Sequence, residues 1–360
     1  MKKLLLSLSL AFVCAQVSHA AQDLPLSLND FIIHDENSDF DPATGKLIIG
    51  VNWSPAVGWD LPTPVSSKDY YGVKVVFKGK QTTGFVDLKA KYENGAFDDL
   101  GVGIPTGVRS IILGFDEDRD VAIDHIYFQC SNWESDAAKK FPDNPPWPFI
   151  MIESITFLAH VNTERVPLSL DDVITDWWGA IDVDVTAKTV TLHNNWEFVG
   201  WNVDRGVSNS GIELTEVEPG FYAISDEIYM GCEYNFDPFE FERTDCLVNT
   251  FEDGGGIYQH VDVGATKKKI YFSEPMFKVG FQYSNYDGYE QDMPVFKNLD
   301  VYLLKRVPTG VKKITADAGS VDVYTILGVK IRSNVEAVNA LDGLERGIYI
   351  VNGKKVFVTK

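Results

Sequence analysis

The sequence lacks the short motifs that identify the common classes of enzyme. It has no His-Glu-x-x-His zinc motif, no Gly-x-Ser-x-Gly nucleophile elbow, and no phosphate loop ending in Lys-Ser or Lys-Thr. Its histidines are scattered singly, so none has the spacing of a zinc site. Carboxylate catalysis stays open, because the two acids of a glycosidase need only be close in space. The residues therefore favour a binding role over an enzymatic one.

Positive charge is also scarce. Lys and Arg number 32 against 52 Asp and Glu, which gives a formal net charge of −20. An acidic surface repels phosphate groups, so nucleic acid and anionic membrane are not expected partners. No segment reaches the ~18 uncharged apolar residues of a transmembrane helix. A neutral partner, or one bridged by a cation, fits this composition.

The first twenty residues, 1–20, predict a signal peptide. Two lysines precede a short apolar run, and Ser18-His19-Ala20 offers small residues for cleavage. Cysteine is scarce, with three residues after the leader. Cys232 and Cys246 could form a disulfide in an oxidising compartment, whereas Cys130 has no partner in sequence. Both the bonded and the reduced state of that pair stay open.

Helical periodicity is missing from the whole chain. Short alternating or β-branched segments such as KLIIGVNW and YYGVKVVFKG are separated by clusters of Gly, Pro, Asn and Asp. This pattern predicts an all-β fold of antiparallel β-sandwich, jelly-roll-like domains.

The chain also repeats itself. PLSLNDFI at 25–32 matches PLSLDDVI at 167–174, and the same shift of 142 places Gly58-Trp59 on Gly200-Trp201. A later match at a larger shift predicts insertions in loops of the second copy. The sequence therefore predicts one β-sandwich at 21–163, a second at 164–307, and a small C-terminal β domain at 308–360.

The tail carries VYTILGVKIR, a leucine-bearing spacer and GIYIVNGKKVFV. Asn352-Gly353 between two alternating strands predicts a two-residue hairpin. These residues resemble the C-terminal sorting domain of Bacteroidota secreted proteins that is read by the type IX secretion machinery. The positions that match this pattern are Gly328, Gly347, Tyr349, Val351, Gly353, Lys355 and Val358. The chain departs from it slightly by ending in Val-Thr-Lys. The resemblance implies passage through the periplasm to the outside or the outer cell surface, and implies nothing about activity.

Aromatic side chains next to turn residues are the strongest sign of function. Sugar rings stack on flat aromatic faces, while neighbouring Asn, Asp and Gln bind the hydroxyls. The predicted carbohydrate-binding residues are Trp53, Trp133, Trp147, Trp177, Trp178, Trp196, Tyr286 and Tyr289. The same residue types also build sandwich cores, so a structural role stays open for each one.

The repeated tryptophans divide into two groups. Trp59 and Trp201 keep one offset between the copies, whereas Trp53 and Trp196 are one residue out of step. Because side chains alternate faces along a strand, a spacing of six in one copy and five in the other cannot both hold without a bulge, which Pro55 marks. We therefore predict Trp59 and Trp201 in the core, which leaves Trp53 and Trp196 for a ligand.

An acidic run near the start of the first copy suggests one cofactor. Asp35, Asn37, Asp39 and Asp41 alternate as calcium-binding loops do. The run lacks the glycine and distal glutamate of an EF-hand, so a structural calcium site and a hydrated acidic loop both remain.

These observations favour a secreted or surface-displayed, non-catalytic protein that binds a neutral polysaccharide. Each copy loosely resembles carbohydrate-binding jelly rolls in its size and final strands. The alternatives are a jelly-roll glycoside hydrolase or lyase, and a structural or adhesive surface protein. A hydrolase or lyase should show a carboxylate pair, or a cleft lined by Lys, Arg or His, in one repeat only, whereas a binding module should show exposed coplanar aromatic rings in a groove. An adhesive protein should show neither, only a broad edge or patch.

Overall fold

The computed structural model describes most of the chain after the leader. The described ranges are 21–33, 38–50, 57–81, 86–95, 100–115, 122–130, 149–175, 182–193, 198–206, 211–241, 244–249, 256–283, 293–307, 320–325, 328–336, 339–344, 347–351 and 354–358. Within them the regular structure is β-strand, with three short 3-10 turns and no α-helix. In this part of the chain, no helix has the length and apolar character needed to cross a bilayer.

The strands fall into three groups along the chain. The first group is β1 Leu24–Leu26, β2 Ile32–Ile33, β3 Asp39–Asp41, β4 Lys46–Ile48, β5 Val57–Ser66, β6 Tyr70–Phe77, β7 Val86–Tyr92, β8 Leu100–Gly103, β9 Ser110–Gly114, β10 Ala122–Cys130 and β11 Phe149–Ala159. The second is β12 Thr163–Pro167, β13 Ile174–Thr175, β14 Asp182–Asp184, β15 Thr189–Thr191, β16 Phe198–Asn202, β17 Leu214–Glu218, β18 Phe221–Ile224, β19 Tyr229–Asn235, β20 Thr244–Asn249, β21 Gly256–His260, β22 Lys267–Tyr271, β23 Lys278–Tyr283, β24 Val295–Phe296 and β25 Asp300–Arg306. The third is β26 Ser320–Thr325, β27 Lys330–Glu336, β28 Gly347–Val351 and β29 Lys354–Val358.

The first two groups have the same sheet topology. A five-stranded front sheet has the order β2-β5-β10-β7-β8 in the first repeat and β13-β16-β23-β20-β21 in the second. The back sheet has the order β1-β11-β6-β9 in the first and β12-β25-β19-β22 in the second. The hairpin β3-β4 against the start of β11 is repeated as β14-β15-β24. This strand-by-strand match confirms the internal duplication and the all-β fold of two tandem antiparallel sandwiches.

Alternation of apolar and polar residues makes these strands two-faced. In β7, the side chains of Val86, Leu88 and Ala90 are buried, while Asp87 and Lys89 point to the opposite face and are partly exposed. Successive side chains of a strand point to opposite faces, so one face of the front sheet joins the core and the other meets solvent.

The Gly-Trp pairs belong to the core framework, as predicted. Trp59 is 2% exposed and its Nε1–H donates to the carbonyl oxygen of Ser27 at 3.0 Å. Trp201 is 1% exposed and donates to the carbonyl oxygen of Ser169 at 2.7 Å. The same offset of 142 relates both donors and both acceptors. Each buried indole therefore satisfies its N–H on the short turn that opens its repeat.

The glycine of each pair is required by a close approach of two strands. A Cβ on Gly58 would lie 2.0 Å from the carbonyl oxygen of Ile126, and one on Gly200 would lie 2.3 Å from that of Val279. These partners are backbone atoms and cannot move aside, so only glycine fits at either position.

The predicted insertion in the second copy is a hairpin. The offset between equivalent residues grows from 142 at Trp59/Trp201 to 159 at Tyr70/Tyr229, across the place where β17 and β18 pair. These two strands form a separate two-stranded sheet, so the insertion leaves the order of the front and back sheets unchanged.

The cysteines of the described chain are buried thiols and form no disulfide. Cys130, Cys232 and Cys246 are each 0% exposed. Burial raises the pKa of the Cys232 thiol to about 12, because the thiolate would lose its solvation. The pair that the sequence left open is therefore reduced, and these thiols are core packing residues of low reactivity.

At Thr244, a core position of the second repeat, we expect a substitution to stabilise the protein. Thr244 is 0% exposed, its hydroxyl has no hydrogen-bond partner among the described residues, and Val86 stands at the equivalent place in the first repeat. Because a buried, unsatisfied hydroxyl costs about 1–3 kcal/mol, we expect Thr244→Val to raise the free energy of unfolding by about 1 kcal/mol. Chemical denaturation measures it. The reverse change, Val86→Thr, should destabilise the first repeat, and a stable Val86→Thr variant would contradict the argument.

The tail forms a small sheet of its own. Its strand order is β27-β26-β28-β29, around a core of Val321, Val323, Val351 and Val356. Val351 pairs with Lys354 across the predicted two-residue turn, which confirms the hairpin. The turn residues themselves lie outside the described residues.

Candidate binding site at the seam between the repeats

The two sandwiches meet edge to edge along a surface that we call the seam. Strand β9 lies beside β22, and β8 lies beside β21. These are equivalent strands in the duplicated topology. Front sheet therefore meets front sheet and back sheet meets back sheet, so a pseudo-twofold axis relates the repeats and both front sheets face the same side of the molecule.

In the back-sheet layer the seam is closed. The Ser110 hydroxyl donates to the carbonyl oxygen of Ser273 at 2.8 Å, and the Ser273 hydroxyl donates back to that of Ser110 at 2.9 Å. The carboxylate of Glu274 accepts from the backbone N–H groups of Arg109 and Ser110, the second at 2.6 Å. The unpaired edge of β9 is thus capped by side chains of the second repeat.

An apolar cluster seals the same layer. Its buried members are Tyr71, Ile112, Met230, Tyr271 and Leu304, with Leu158 packed against them. Two of the pairs are equivalent positions in the two copies, Tyr71 with Met230 and Leu158 with Leu304. The cluster thus repeats across the pseudo-twofold axis, as an interface between two like subunits does.

Glu274 makes this layer sensitive to pH. Burial raises the pKa of its carboxyl above the ordinary 4.5, against the opposing effect of the two backbone N–H donors. A raised folded-state pKa means that the folded protein holds the proton longer than the unfolded chain. The contribution of Glu274 to stability therefore falls as the pH rises from about 4.5 through the folded-state pKa.

The variant Glu274→Gln tests this slope. The amide oxygen can still accept from both N–H groups and carries no charge to desolvate, so we expect a change in stability below about 1 kcal/mol at neutral pH. Between about pH 4 and pH 7, the stability of the variant relative to the wild type should rise, as thermal unfolding would show. A difference that stays constant with pH would show that Glu274 does not titrate in the seam.

In the front-sheet layer the seam is open. Strands β8 and β21 do not pair, and between them lies a cleft of about 470 Å³. From the first repeat it is lined by Asp87, Lys89, Leu100, Gly101, Val102, Gly103, Leu113 and Gly114, and from the second by Tyr258, Gln259, His260, Asp262 and Lys268. A volume of this size is within the ~300–1,000 Å³ range of small-molecule sites.

The two sides of the cleft differ in side chains. Gly101 of the first repeat pairs with Lys89, and Tyr258 of the second pairs with Leu247. These pairs occupy the same place in the two sheets, so Gly101 and Tyr258 are equivalent positions. Two residues further on, Gly103 is equivalent to His260. At these two positions the first repeat therefore has no side chain, and the neighbouring Asp87 and Lys89 line its side of the cleft, while an aromatic ring and an imidazole stand on the other side.

Among the Phe, Tyr and Trp residues whose side chains the structure describes, Tyr258 alone is exposed, at 49%. Around it are hydrogen-bond donors and acceptors, among them side chains of both charges. Asp262 forms an ion pair with Lys268 at 3.0 Å, and the Lys89 chain lies against Gly101. An exposed ring with mixed hydrogen-bonding groups in a concave site suits a ligand rich in hydroxyls and apolar C–H faces.

Aromatic rings on the outer faces of the front sheets are covered. Tyr127 is 2% exposed, and the Nζ of Lys91 lies 5.5 Å from its ring centroid. Phe198 is 5% exposed and lies over Gly200, and the Nζ of Lys278 lies 5.4 Å from its ring centroid. His125 stacks on Tyr127 at 5.3 Å between centroids. These rings are packed and offer no free face for a sugar.

The eight predicted carbohydrate-binding residues all lie outside the described residues. They are Trp53, Trp133, Trp147, Trp177, Trp178, Trp196, Tyr286 and Tyr289. Their assignment stays a prediction. The cleft residues were missed because GIYQHVD is an ordinary alternating strand in sequence. The duplication offered one signal, since a glycine strand in one copy corresponds to Tyr258 and His260 in the other.

The acidic run predicted to bind calcium is described in part. Asp35 and Asn37 lie outside the described residues, while Asp39 and Asp41 are on β3. The Asp41 carboxylate accepts from the Thr44 hydroxyl at 2.6 Å and from the Ala43 N–H at 3.0 Å, which lowers its pKa. Its counterpart Asp184 accepts from the N–H of Ala187 at 2.8 Å. Asp41 therefore has a turn-capping role that both copies share, and the calcium site stays a prediction.

No group of three or more metal-ligating side chains occurs among the residues that the structure describes.

The predicted sorting residues lie on the tail hairpin, Gly347 and Tyr349 on β28 and Lys355 on β29. Gly347 and Tyr349 are partly exposed.

Comparisons with known proteins give matches among solved structures alone. No protein-family model matches the chain, and no curated protein matches it. Among solved structures the chain is similar to the N-terminal CBM22-1–CBM22-2 tandem domain of Xyn10C from Paenibacillus barcinonensis. The identity is 9% and the TM-score 0.26, over 81% of this chain and 99% of that one. At these values the likeness supports no inference about function.

Proposed function

We propose that this chain is a secreted or surface-displayed, non-catalytic polysaccharide-binding protein that holds its ligand in the seam cleft. One observation carries the proposal: the half-exposed ring of Tyr258 stands in a concave site beside Asp, Lys, Gln and His side chains. The acidic net charge of −20 favours an uncharged glycan over phosphate-bearing or sulfated partners.

The cleft fits binding better than hydrolysis. Its two carboxylates come from different repeats, Asp87 from the first and Asp262 from the second. The general acid of a glycosidase is typically held in an apolar pocket, whereas the Asp262 side chain is 74% exposed and bound to Lys268. Two glutamates are buried as a general acid would be, but their carboxylates have structural partners outside the cleft. Glu233 accepts from Arg165 at 2.5 Å and from the Asn235 amide at 2.8 Å, and Glu274 caps β9.

Affinity electrophoresis tests the function. The protein is run in gels that contain xylan, mixed-linkage β-glucan, glucomannan or xyloglucan, and a ligand should retard it. We expect weak binding, on the order of micromolar to millimolar, because an open cleft buries little ligand surface. Reducing ends should not form on incubation. No retardation by any glycan would reject the proposal, and release of reducing sugar would favour the hydrolase instead.

Variants of Tyr258 test whether the ligand binds in the cleft. Loss of the ring in Tyr258→Ala should weaken binding by about tenfold, since an aromatic contact is worth about 0.5–1.5 kcal/mol beyond its burial. The matched control Tyr258→Phe keeps the ring and should keep most of the affinity. Because the side chain is half exposed, neither change should shift the midpoint of unfolding.

Export belongs to the same proposal and depends on the tail motif. The tail has its own sheet and core, so it can act as a separate signal for an outer-membrane secretion machinery. Deletion of 308–360 should leave the protein in the periplasm of a producing bacterium, as cell fractionation would show. Unchanged export of the truncated chain would reject the sorting role.

A further inference from the structure

We infer that the seam cleft is a single composite site that binds one glycan chain per molecule. This inference rests on the proposed function. The duplication by itself suggests two equivalent sites, one for each sandwich. The positions of the cleft residues point instead to one site shared between the repeats.

Both repeats contribute, and they contribute different things. The first supplies the glycine strand, in which Gly101 and Gly103 present backbone, together with Asp87 and Lys89 beside it. The second supplies Tyr258 and His260, which are exposed, and the Asp262–Lys268 ion pair. Neither half encloses a ligand without the other, because each is only the edge of a sheet.

The pseudo-twofold symmetry is broken at the place where the ligand would bind. A symmetric cleft would carry two equal platforms and would accept a chain equally well in both directions. Here one equivalent position holds glycine and the other tyrosine, and the next pair holds glycine and histidine. The two halves of the cleft therefore offer a glycan different contacts, a ring face at Tyr258 and polar groups at Asp87 and Lys89.

The cleft is also of the right size for one chain. Its volume of about 470 Å³ lies in the lower half of the ~300–1,000 Å³ range of single-ligand sites. Its width is fixed by the closed back-sheet layer, where Ser110, Ser273 and Glu274 hold the two edges together. A site held rigidly by both repeats loses little entropy when it binds.

Substitution of Gly103 tests the contribution of the first repeat. A Cβ on Gly103 would be in ordinary contact with the Asp87 carboxylate at 3.5 Å, so Gly103→Val should fold and place a side chain in the cleft. Gly347→Val is the matched control, because it is also a strand glycine, with its nearest neighbour Tyr349 at 3.6 Å, and it lies in the tail.

Isothermal titration uses the hexasaccharide of whichever of the four polysaccharides retards the full chain. We expect one binding site per chain, a loss of about tenfold or more for Gly103→Val and for Tyr258→Ala, and wild-type binding for Gly347→Val. The double variant should bind more weakly than either single one, with the two losses multiplying, because both residues contact the same ligand chain.

Two outcomes separate the inference from the proposed function. If a glycan binds at two sites per chain, or if Gly103→Val leaves affinity unchanged, the composite site is rejected while glycan binding stands. If no glycan binds the wild type, the function itself is rejected. Thermal denaturation of each variant establishes that the fold is retained in every comparison.

Discussion

Trp201→Ala is expected to lower the free energy of unfolding of the second repeat by about 3–5 kcal/mol, which is the usual effect of truncating a buried aromatic residue. The indole is 1% exposed, so its removal leaves a cavity in the middle of the sandwich. It also removes the donor to the Ser169 carbonyl, which fixes the turn at Leu170–Asp172 beside the first strands of the repeat.

Denaturant unfolding followed by circular dichroism measures this effect. The paired variant Trp59→Ala should destabilise the first repeat by a similar amount, because Trp59 makes the same contact with Ser27. Tyr258→Ala is the control, since its ring is half exposed and its loss should leave the midpoint unchanged. Trp201→Ala with wild-type stability would mean that the repeated tryptophans are not core residues.

The second large effect is expected at the axis of the seam. A Cβ on Gly114 would lie 2.6 Å from the ring of Tyr271, which is itself packed on Tyr71 at 4.7 Å between centroids. Gly114→Val should therefore force the two back sheets apart and cost about 1–3 kcal/mol, as overpacked cores do. Because the cleft is held by this layer, glycan affinity should fall as well.

Calorimetry and small-angle scattering test the seam variant. We expect the wild type to unfold as one coupled unit and Gly114→Val to show two separate transitions with a larger radius of gyration. Gly101→Val is the control, because its nearest neighbours are side-chain atoms of Lys89 that can move. A single transition at the wild-type midpoint would show that the repeats do not depend on each other through this contact.

Sequence reasoning reached the features that repeat along the chain. The shift of 142 identified Trp59 and Trp201 as framework, since side chains kept in step through a duplication share one face of one strand. The tail hairpin followed from Asn352-Gly353, because that dipeptide favours a tight turn between alternating strands.

Features that depend on how the two repeats pack together could not be predicted from the sequence. The cleft around Tyr258 is formed together with the neighbouring repeat, whose position no local pattern encodes. Glu274 is similar, because an isolated glutamate in a loop gives no sign that its carboxylate will accept two N–H groups of a strand more than 160 residues away. The cysteine pair was left open for the same reason, since spacing in sequence does not give distance in space.

The pseudo-twofold seam has a consequence for the history of the molecule. Two like domains joined through equivalent edges have the geometry of a homodimer whose subunits have been fused into one polypeptide. In a homodimer every substitution occurs on both sides of the axis at once, so a tyrosine opposite a glycine is impossible at equivalent positions. Fusion removes that constraint, and the glycine strand of β8 facing Tyr258 and His260 of β21 is the kind of divergence that only a fused pair can acquire.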